Sequence, residues 1–215
     1  EIMNTLETQI AEKLLSIKAV KLQPNQPFTW ASGWLSPIYC DNRKTLSHPE
    51  LRKTIKKELA QLVKEKYPNV EVIAGVATGA IAQGAMVADE LNLPFVYVRS
   101  SPKDHGLENL VEGDLQEGQK VVVIEDLIST GKSSLKAVDA LRNCGADVLG
   151  MVANFSYLFA KASESFAEKN VELTTLSNYD AVLQAALKIN YISEENLQTL
   201  AAWRKDPANW NPAGK

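Results

Sequence analysis

The sequence predicts an α/β fold: a mostly parallel twisted sheet with helices on both faces, plus a small N-terminal hood subdomain. Three observations lead there. Short continuous apolar runs, "VEVIAGVA", "PFVYV", "KVVVIE", "DVLGMVANF" and "VELTTL", recur from about residue 71 onward. Strands of a parallel sheet read this way because helices cover both of their faces. Helical segments at 79–91 and 132–143 separate the runs. The first forty-odd residues, by contrast, are broken by Pro, Gly and Trp in "LQPNQPFTWASGWLSPIYCDN", which is too irregular for a sheet layer.

Taken in order, the chain opens on an amphipathic helix with Leu6, Ile10, Leu14 and Ile17 three or four apart. Phe28, Trp30 and the pair Ile38 and Tyr39 suggest short strands between turns in the hood. The next helix carries a capping box, Ser47 with Glu50, and Pro49 in its first turn. Leu51, Ile55, Leu59 and Leu62 form its apolar stripe. Gly145 suits a left-handed cap after the helix at 132–143. Two last helices are led by Ser177 and Ser193, and Pro207 stops the second. Between Arg99 and Lys120 lie about twenty polar residues without periodicity, the pattern of a functional lid. The expected division is a helix and hood at 1–45, an α/β core at 46–190, and a terminal helix and tail at 191–215.

Composition narrows the function. A chain of 215 residues, 45% hydrophobic and 23% charged, can bury a sufficient core without disulfide or metal staples. A net charge of −3 argues against nucleic acid or a polybasic membrane anchor. No apolar run approaches the roughly 20 residues that span a bilayer, and no secretory leader pattern opens the chain. Cys40 and Cys144 lie far apart without metal-ligand spacing. The expectation is a cytoplasmic protein with two reduced thiols and no residue set dedicated to a metal.

The segment "KVVVIEDLISTGKSS" carries the chemistry. Val121 to Ile124 form a buried strand that ends in two acids, Glu125 and Asp126. Ser129, Thr130 and Gly131 then lead into a helix at Lys132. Ligands of open parallel sheets bind at the carboxyl ends of strands, and a helix N-terminus favours a phosphate. A Walker A loop is excluded because Asp126 occupies its first glycine position, and a dinucleotide fingerprint because Gly75, Gly79 and Gly84 are wrongly spaced. Two carboxylates beside a phosphate cradle suit a ligand with vicinal hydroxyls and a terminal phosphate. Phosphoribosyl pyrophosphate fits. A second anion site is suggested at Ala77, Thr78 and Gly79, where small residues let the backbone approach a ligand.

That segment resembles the phosphoribosyl pyrophosphate motif of the type I phosphoribosyltransferases. "FTWASGWLSPIYCDNR" and "RSSPKDHG" resemble the orotate-using branch of that family, and the similarity runs from about Phe28 to Phe155. The resemblance implies transfer of phosphoribosyl to orotate, giving orotidine 5′-monophosphate and pyrophosphate in the synthesis of UMP. Glu125 and Asp126 would hold the ribose hydroxyls. Leu127, Ile128, Ser129, Thr130, Gly131, Lys132 and Ser133 would wrap the 5′-phosphate, with Ser129 also near the orotate carboxylate. It implies a homodimer in which the loop over residues 99–114 acts in trans, so that Arg99, Lys103 and His105 meet the pyrophosphate. It also implies Mg2+ held mainly through substrate oxygens. The catalytic set is then Lys103, His105, Arg99 and Asp126. Phe28, Trp30, Trp34 and Ser32 would form a wall for the planar base, as large flat rings beside polar backbone can.

The chain departs from that family at three places. Ala31 and Ser100 stand where Lys is common, and "SYLF" follows Phe155 where an Arg is common. Ser129, backbone amides or Lys161 are the remaining candidates for the orotate carboxylate. Two alternatives differ in class: the same chemistry on a purine or uracil, and a regulator that senses phosphoribosyl pyrophosphate without turnover. The acidic balance and the loop cations speak against the regulator.

Overall fold

A computed structural model describes residues 4–102 and 109–212. In chain order the elements are α1 (Leu6–Ser16), β1 (Val20–Leu22), β2 (Phe28–Thr29), β3 (Leu35–Ser36) and β4 (Ile38–Cys40). A 3-10 helix (Asn42–Ser47), α2 (Pro49–Lys66), β5 (Val72–Val76), α3 (Ile81–Leu91), β6 (Phe95–Val98) and β7 (Val111–Glu112) follow. Then come β8 (Lys120–Ile128), α4 (Lys132–Asn143), β9 (Asp147–Ser156), α5 (Ala160–Glu168), β10 (Leu173–Asn178), α6 (Tyr179–Lys188) and α7 (Asn196–Lys205).

The six-stranded sheet has the order β10-β9-β8-β5-β6-β7. Every neighbouring pair is parallel except β6 with β7, as the continuous apolar runs require. Alternate residues of β8 face opposite layers. Val122 and Ile124 join a core built with α1, α2, α3, α6 and α7, while Val121 and Val123 face α4 and α5. The hood consists of two small antiparallel pairs, β1 with β4 and β2 with β3.

Local signals decide the element ends. After α4, Gly145 takes φ +83°; its N–H reaches Arg142 O at 2.9 Å, and the Ala146 N–H reaches Leu141 O at 3.1 Å. This is the double closure of a Schellman motif.

Elsewhere the structure corrects the expectation. Ser47 does not cap α2, because it ends the 3-10 helix and lacks the extended backbone an N-cap needs. His48 stands at the cap without a side-chain bond. Ser177 belongs to β10 and donates to Glu7 O, and Asn178 instead caps α6 by accepting the Ala181 N–H. Ser193 precedes α7 in a turn and donates its N–H to Asn196 Oδ1. The predicted helix at 79–91 begins at Ile81, since Thr78 and Gly79 form a turn. The loop after Arg99 contains β7, too short to show periodicity.

The last helix closes the hood rather than trailing from the core. Trp203 is fully buried, and its Nε1 donates to Leu35 O at 3.1 Å. Its ring meets Trp30 edge-on at 5.5 Å and Phe159 at 5.2 Å.

Candidate active site

The site forms where β8 outruns its neighbour. The ladder between β5 and β8 ends at Gly75 and Ile124, while β8 continues alongside β9 to Ile128 and Ser156. The two acids therefore lie within the strand rather than after it, on a stretch that no longer has β5 beside it.

Their environments differ. Glu125 is 5% exposed; its Oε2 accepts from Ser134 Oγ at 2.7 Å and its Oε1 from the Asp126 N–H at 2.9 Å. Burial, and then the neighbouring Asp126 charge, push its carboxyl well above the ordinary range. Asp126 is more open, and its carboxylate lies over Gly79 in the turn after β5. A Cβ at Gly79 would stand 2.7 Å from Asp126 Cγ and closer still to Oδ2, so only glycine admits this approach. The Ala77–Thr78 peptide in that turn is cis.

A third contact comes from the hood. Asn42, 3% exposed, donates Nδ2 to the Asp126 carbonyl at 2.8 Å, and its Oδ1 accepts the Cys40 thiol at 3.4 Å. Burial, and then the charges of Asp126 and Asp41, raise the Cys40 thiol above its usual range. Beside it, the Arg43 guanidinium 2.8 Å from Asp41 holds that carboxyl below the ordinary range. Thr78, Gly79, Glu125, Asp126, Leu127 and Ser133 line a cavity of about 350 Å3 together with Cys40 to Arg43.

The turn into α4 is tight and leaves its backbone N–H groups unpaired within the helix. Gly131 takes φ +86° at the N-cap, and a Cβ there would lie 2.8 Å from the Phe166 ring. The N–H groups of the first turn of α4 lack intrahelical acceptors and sit at the positive end of the helix dipole. Thr130 and Lys132 open onto a different groove, of about 510 Å3, with Lys136, Lys161 and Lys169. The side chain of Ile128 is wholly buried, so only its backbone can belong to a phosphate loop.

A second cavity of about 300 Å3 shares Cys40 and Leu127 with the first. Its remaining walls are Thr29, Trp30, Ala31, Tyr39, Ser129 and Tyr157. Trp30 is pinned by its Nε1, which donates to Ile38 O at 3.0 Å, and by rings around it. Trp34 does not reach this cavity. It stacks on Trp30 at 6.2 Å and meets Phe159 edge-on. Phe28 leans on Tyr39 at 5.8 Å, and Ser32 Oγ accepts the Trp34 N–H within the hairpin. Neither lines the cavity.

Tyr39, Cys40, Asn42 and Tyr157 line the two cavities, though the sequence does not single them out. Tyr39 alternates outward along a visible short strand, and that period was the only available signal.

Among the described residues, no cation lines the second cavity. Lys161, a candidate for an acidic base substituent, belongs to the groove between α4 and α5. Arg99 stands 3.5 Å from Glu112 of β7, and its N–H donates to Leu110 O. Lys103 and His105 lie outside the described residues. Among the described residues there is no cluster of three acidic, His or Cys side chains fit to hold a metal, and no helix long and apolar enough to cross a membrane.

Comparison with known proteins places the chain among relatives. Residues 43–190 match the phosphoribosyl transferase domain family. The chain is 67% identical over 213 residues to an orotate phosphoribosyltransferase of Phocaeicola vulgatus, covering 99% of this chain and 100% of that one. It is 54% identical over 206 residues to one of Listeria monocytogenes, covering 96% and 99%. The crystal structure of orotate phosphoribosyltransferase from Aeropyrum pernix superposes with a TM-score of 0.74 at 28% identity, covering 86% of this chain and 99% of that one.

Proposed function

Because the chain belongs to the orotate phosphoribosyltransferase family, we propose that its two adjoining cavities hold the two substrates of that reaction, sugar donor in the first and orotate in the second. The enzyme transfers phosphoribosyl from phosphoribosyl pyrophosphate to orotate, forming orotidine 5′-monophosphate in pyrimidine biosynthesis. The observation that carries the placement is the shared wall, Cys40 and Leu127. Ligands on either side of that wall would bring the sugar's anomeric carbon beside the ring nitrogen that attacks it.

In this reading Asp126 accepts hydrogen bonds from the ribose hydroxyls. Glu125 adds the lone pairs that Ser134 and the Asp126 N–H leave open. The 5′-phosphate sits on the loop from Ser129 to Gly131 and the first-turn N–H groups of α4. The pyrophosphate lies over Thr78 and Gly79, where the backbone carries no bulky side chain. Orotate packs between Trp30 and Tyr39, and Ser129 with nearby N–H groups meets its carboxylate. This placement is supported by the aromatic side chains of Trp30, Tyr39 and Tyr157 that line the second cavity beside Ser129.

The reaction needs stabilisation mainly at the leaving group. Negative charge grows on the departing pyrophosphate while the sugar becomes oxocarbenium-like, and cations that meet it closest in that state lower the barrier. Arg99, Lys103 and His105 are assigned that role, on a loop of residues 99–114 that reaches the neighbouring protomer of a homodimer. Arg99 would exchange Glu112 for the pyrophosphate. Mg2+ fits a site with one open carboxylate, Asp126, and oxygen-rich substrate, and when bound it supplies charge neutralisation of the pyrophosphate. A cytoplasmic setting is supported by Cys40 and Cys144, both unpaired.

The test is loss of orotate absorbance on incubation with phosphoribosyl pyrophosphate, Mg2+ and orotate, with uracil, adenine and hypoxanthine in parallel. Turnover confined to orotate is expected. Turnover with a purine instead would move the chain to another branch of the family.

A further inference from the structure

We infer that Asn42 is a positioning residue that fixes the acidic doublet of β8 to the hood, and so holds the sugar site and the base cavity in one frame. This rests on the substrate placement above. Asn42 begins the 3-10 helix after β4, far in sequence from the strand it touches. A buried amide at 3% exposure is stable only when its donors and acceptor find partners. Here they are specific. Nδ2 donates to the backbone carbonyl of Asp126 at 2.8 Å, and Oδ1 accepts the thiol of Cys40 at 3.4 Å. The residue is itself locked, because its own carbonyl accepts Thr45 Oγ at 2.6 Å from a side chain that is 1% exposed.

Each arm ends on a wall residue. Cys40 lines both cavities, and Asp126 lines the first. Because β5 no longer flanks β8 beyond Ile124, this stretch of the strand has less lateral support than the rest. Asn42 supplies a hydrogen bond to its backbone there. The Asp126 carboxylate lies against Gly79, with no room there for one extra carbon, so its place depends on where the backbone of Asp126 stands. A shift of the Asp126 backbone therefore becomes a shift of the sugar-binding oxygens. Asn42 touches no reacting atom, so its effect passes through Asp126.

The experiment compares Asn42→Ala, Asp126→Asn and the double variant by calorimetric titration with ribose 5-phosphate and, separately, with inorganic pyrophosphate. Asn42→Ala should weaken ribose 5-phosphate about tenfold, the loss expected of one well-placed hydrogen bond, and leave pyrophosphate within about twofold. In the Asp126→Asn background the Asn42 substitution should add nothing, because its route has gone. A merely architectural Asn42 would weaken both ligands alike or add fully to Asp126→Asn, and either result overturns the inference. If Asn42→Ala does not fold, Asn42→Ser keeps the small polar volume but falls short of the carbonyl, and it is put through the same titrations. Failure of the two ideas is distinguishable. Should Asp126→Asn bind ribose 5-phosphate normally, the sugar-site reading falls and takes this inference with it. Should Asp126→Asn weaken binding while Asn42→Ala does not, only the positioning role falls.

Discussion

Gly79→Ala separates fold from site most sharply. The added methyl would stand 2.7 Å from Asp126 Cγ, whereas ordinary contact begins at 3.4 Å, so the carboxyl carbon must retreat by about 0.7 Å and Oδ2 by more. The obstructed atoms are the free end of a side chain, so the protein can yield by moving χ angles off their minima, at about 0.5–1.5 kcal/mol. For a domain of this size that lowers Tm by roughly 1–6 °C, at about 2–4 °C per kcal/mol. Binding geometry is less forgiving. A displacement near 1 Å in a preorganised site costs about 100-fold in rate, or about 2.7 kcal/mol at the transition state. The assay is kcat/KM for phosphoribosyl pyrophosphate beside a thermal melt of the same preparation. The expected pattern is a loss of about two decades in kcat/KM with a nearly intact melt. A variant with native kcat/KM would show that Asp126 does not need its place over the turn, and the sugar assignment would fail with it.

Other perturbations probe separate parts. If the loop acts across a dimer, mixing Lys103→Ala chains with Asp126→Ala chains should recover about a quarter of wild-type activity through hybrid sites, from random pairing with one intact site per hybrid; no recovery would place the loop in its own protomer's site. Glu125 has a raised pKa in the folded state, so its contribution is fully present below the ordinary carboxylate range and is lost as pH rises through the raised value. Glu125→Gln, neutral throughout, should therefore match or exceed wild-type Tm near about pH 8 and lose that advantage near about pH 4, and a gap that widens in acid would contradict the burial argument. Trp203→Ala removes a fully buried ring that meets four other aromatics. It should cost about 3–5 kcal/mol in urea unfolding, and orotate binding should weaken with it because Trp30 loses its support.

Local chemistry made much of the fold readable. Val121 to Ile124 announce a strand sealed on both faces, and Gly145 announces its own left-handed turn. The acids, hydroxyls and glycine from Glu125 to Gly131 appear in the order in which a strand hands over to a helix. What escaped was set by distance along the chain or by neighbouring elements. The bond from Asn42 to Asp126 spans 84 positions and has no local period. Ser47 has the composition of a cap, but the 3-10 helix before it takes the backbone that capping requires. Trp34 and Phe28 look like a base-stacking surface in sequence, yet the hairpin turns Trp34 onto Trp30 and Phe28 onto Tyr39. Tyr157, just after β9, lines the second cavity instead and meets Trp30 at 5.1 Å.

The crowding of indoles has an optical outcome. Trp30 has Trp34 at 6.2 Å and Trp203 at 5.5 Å, close enough for the three to share excitation, and only Trp30 of them borders the second cavity. If the base binds there as proposed, a flat, absorbing guest should quench the emission of the group. The native polypeptide thus carries its own fluorescent gauge of occupancy, readable by stopped flow without attaching a dye.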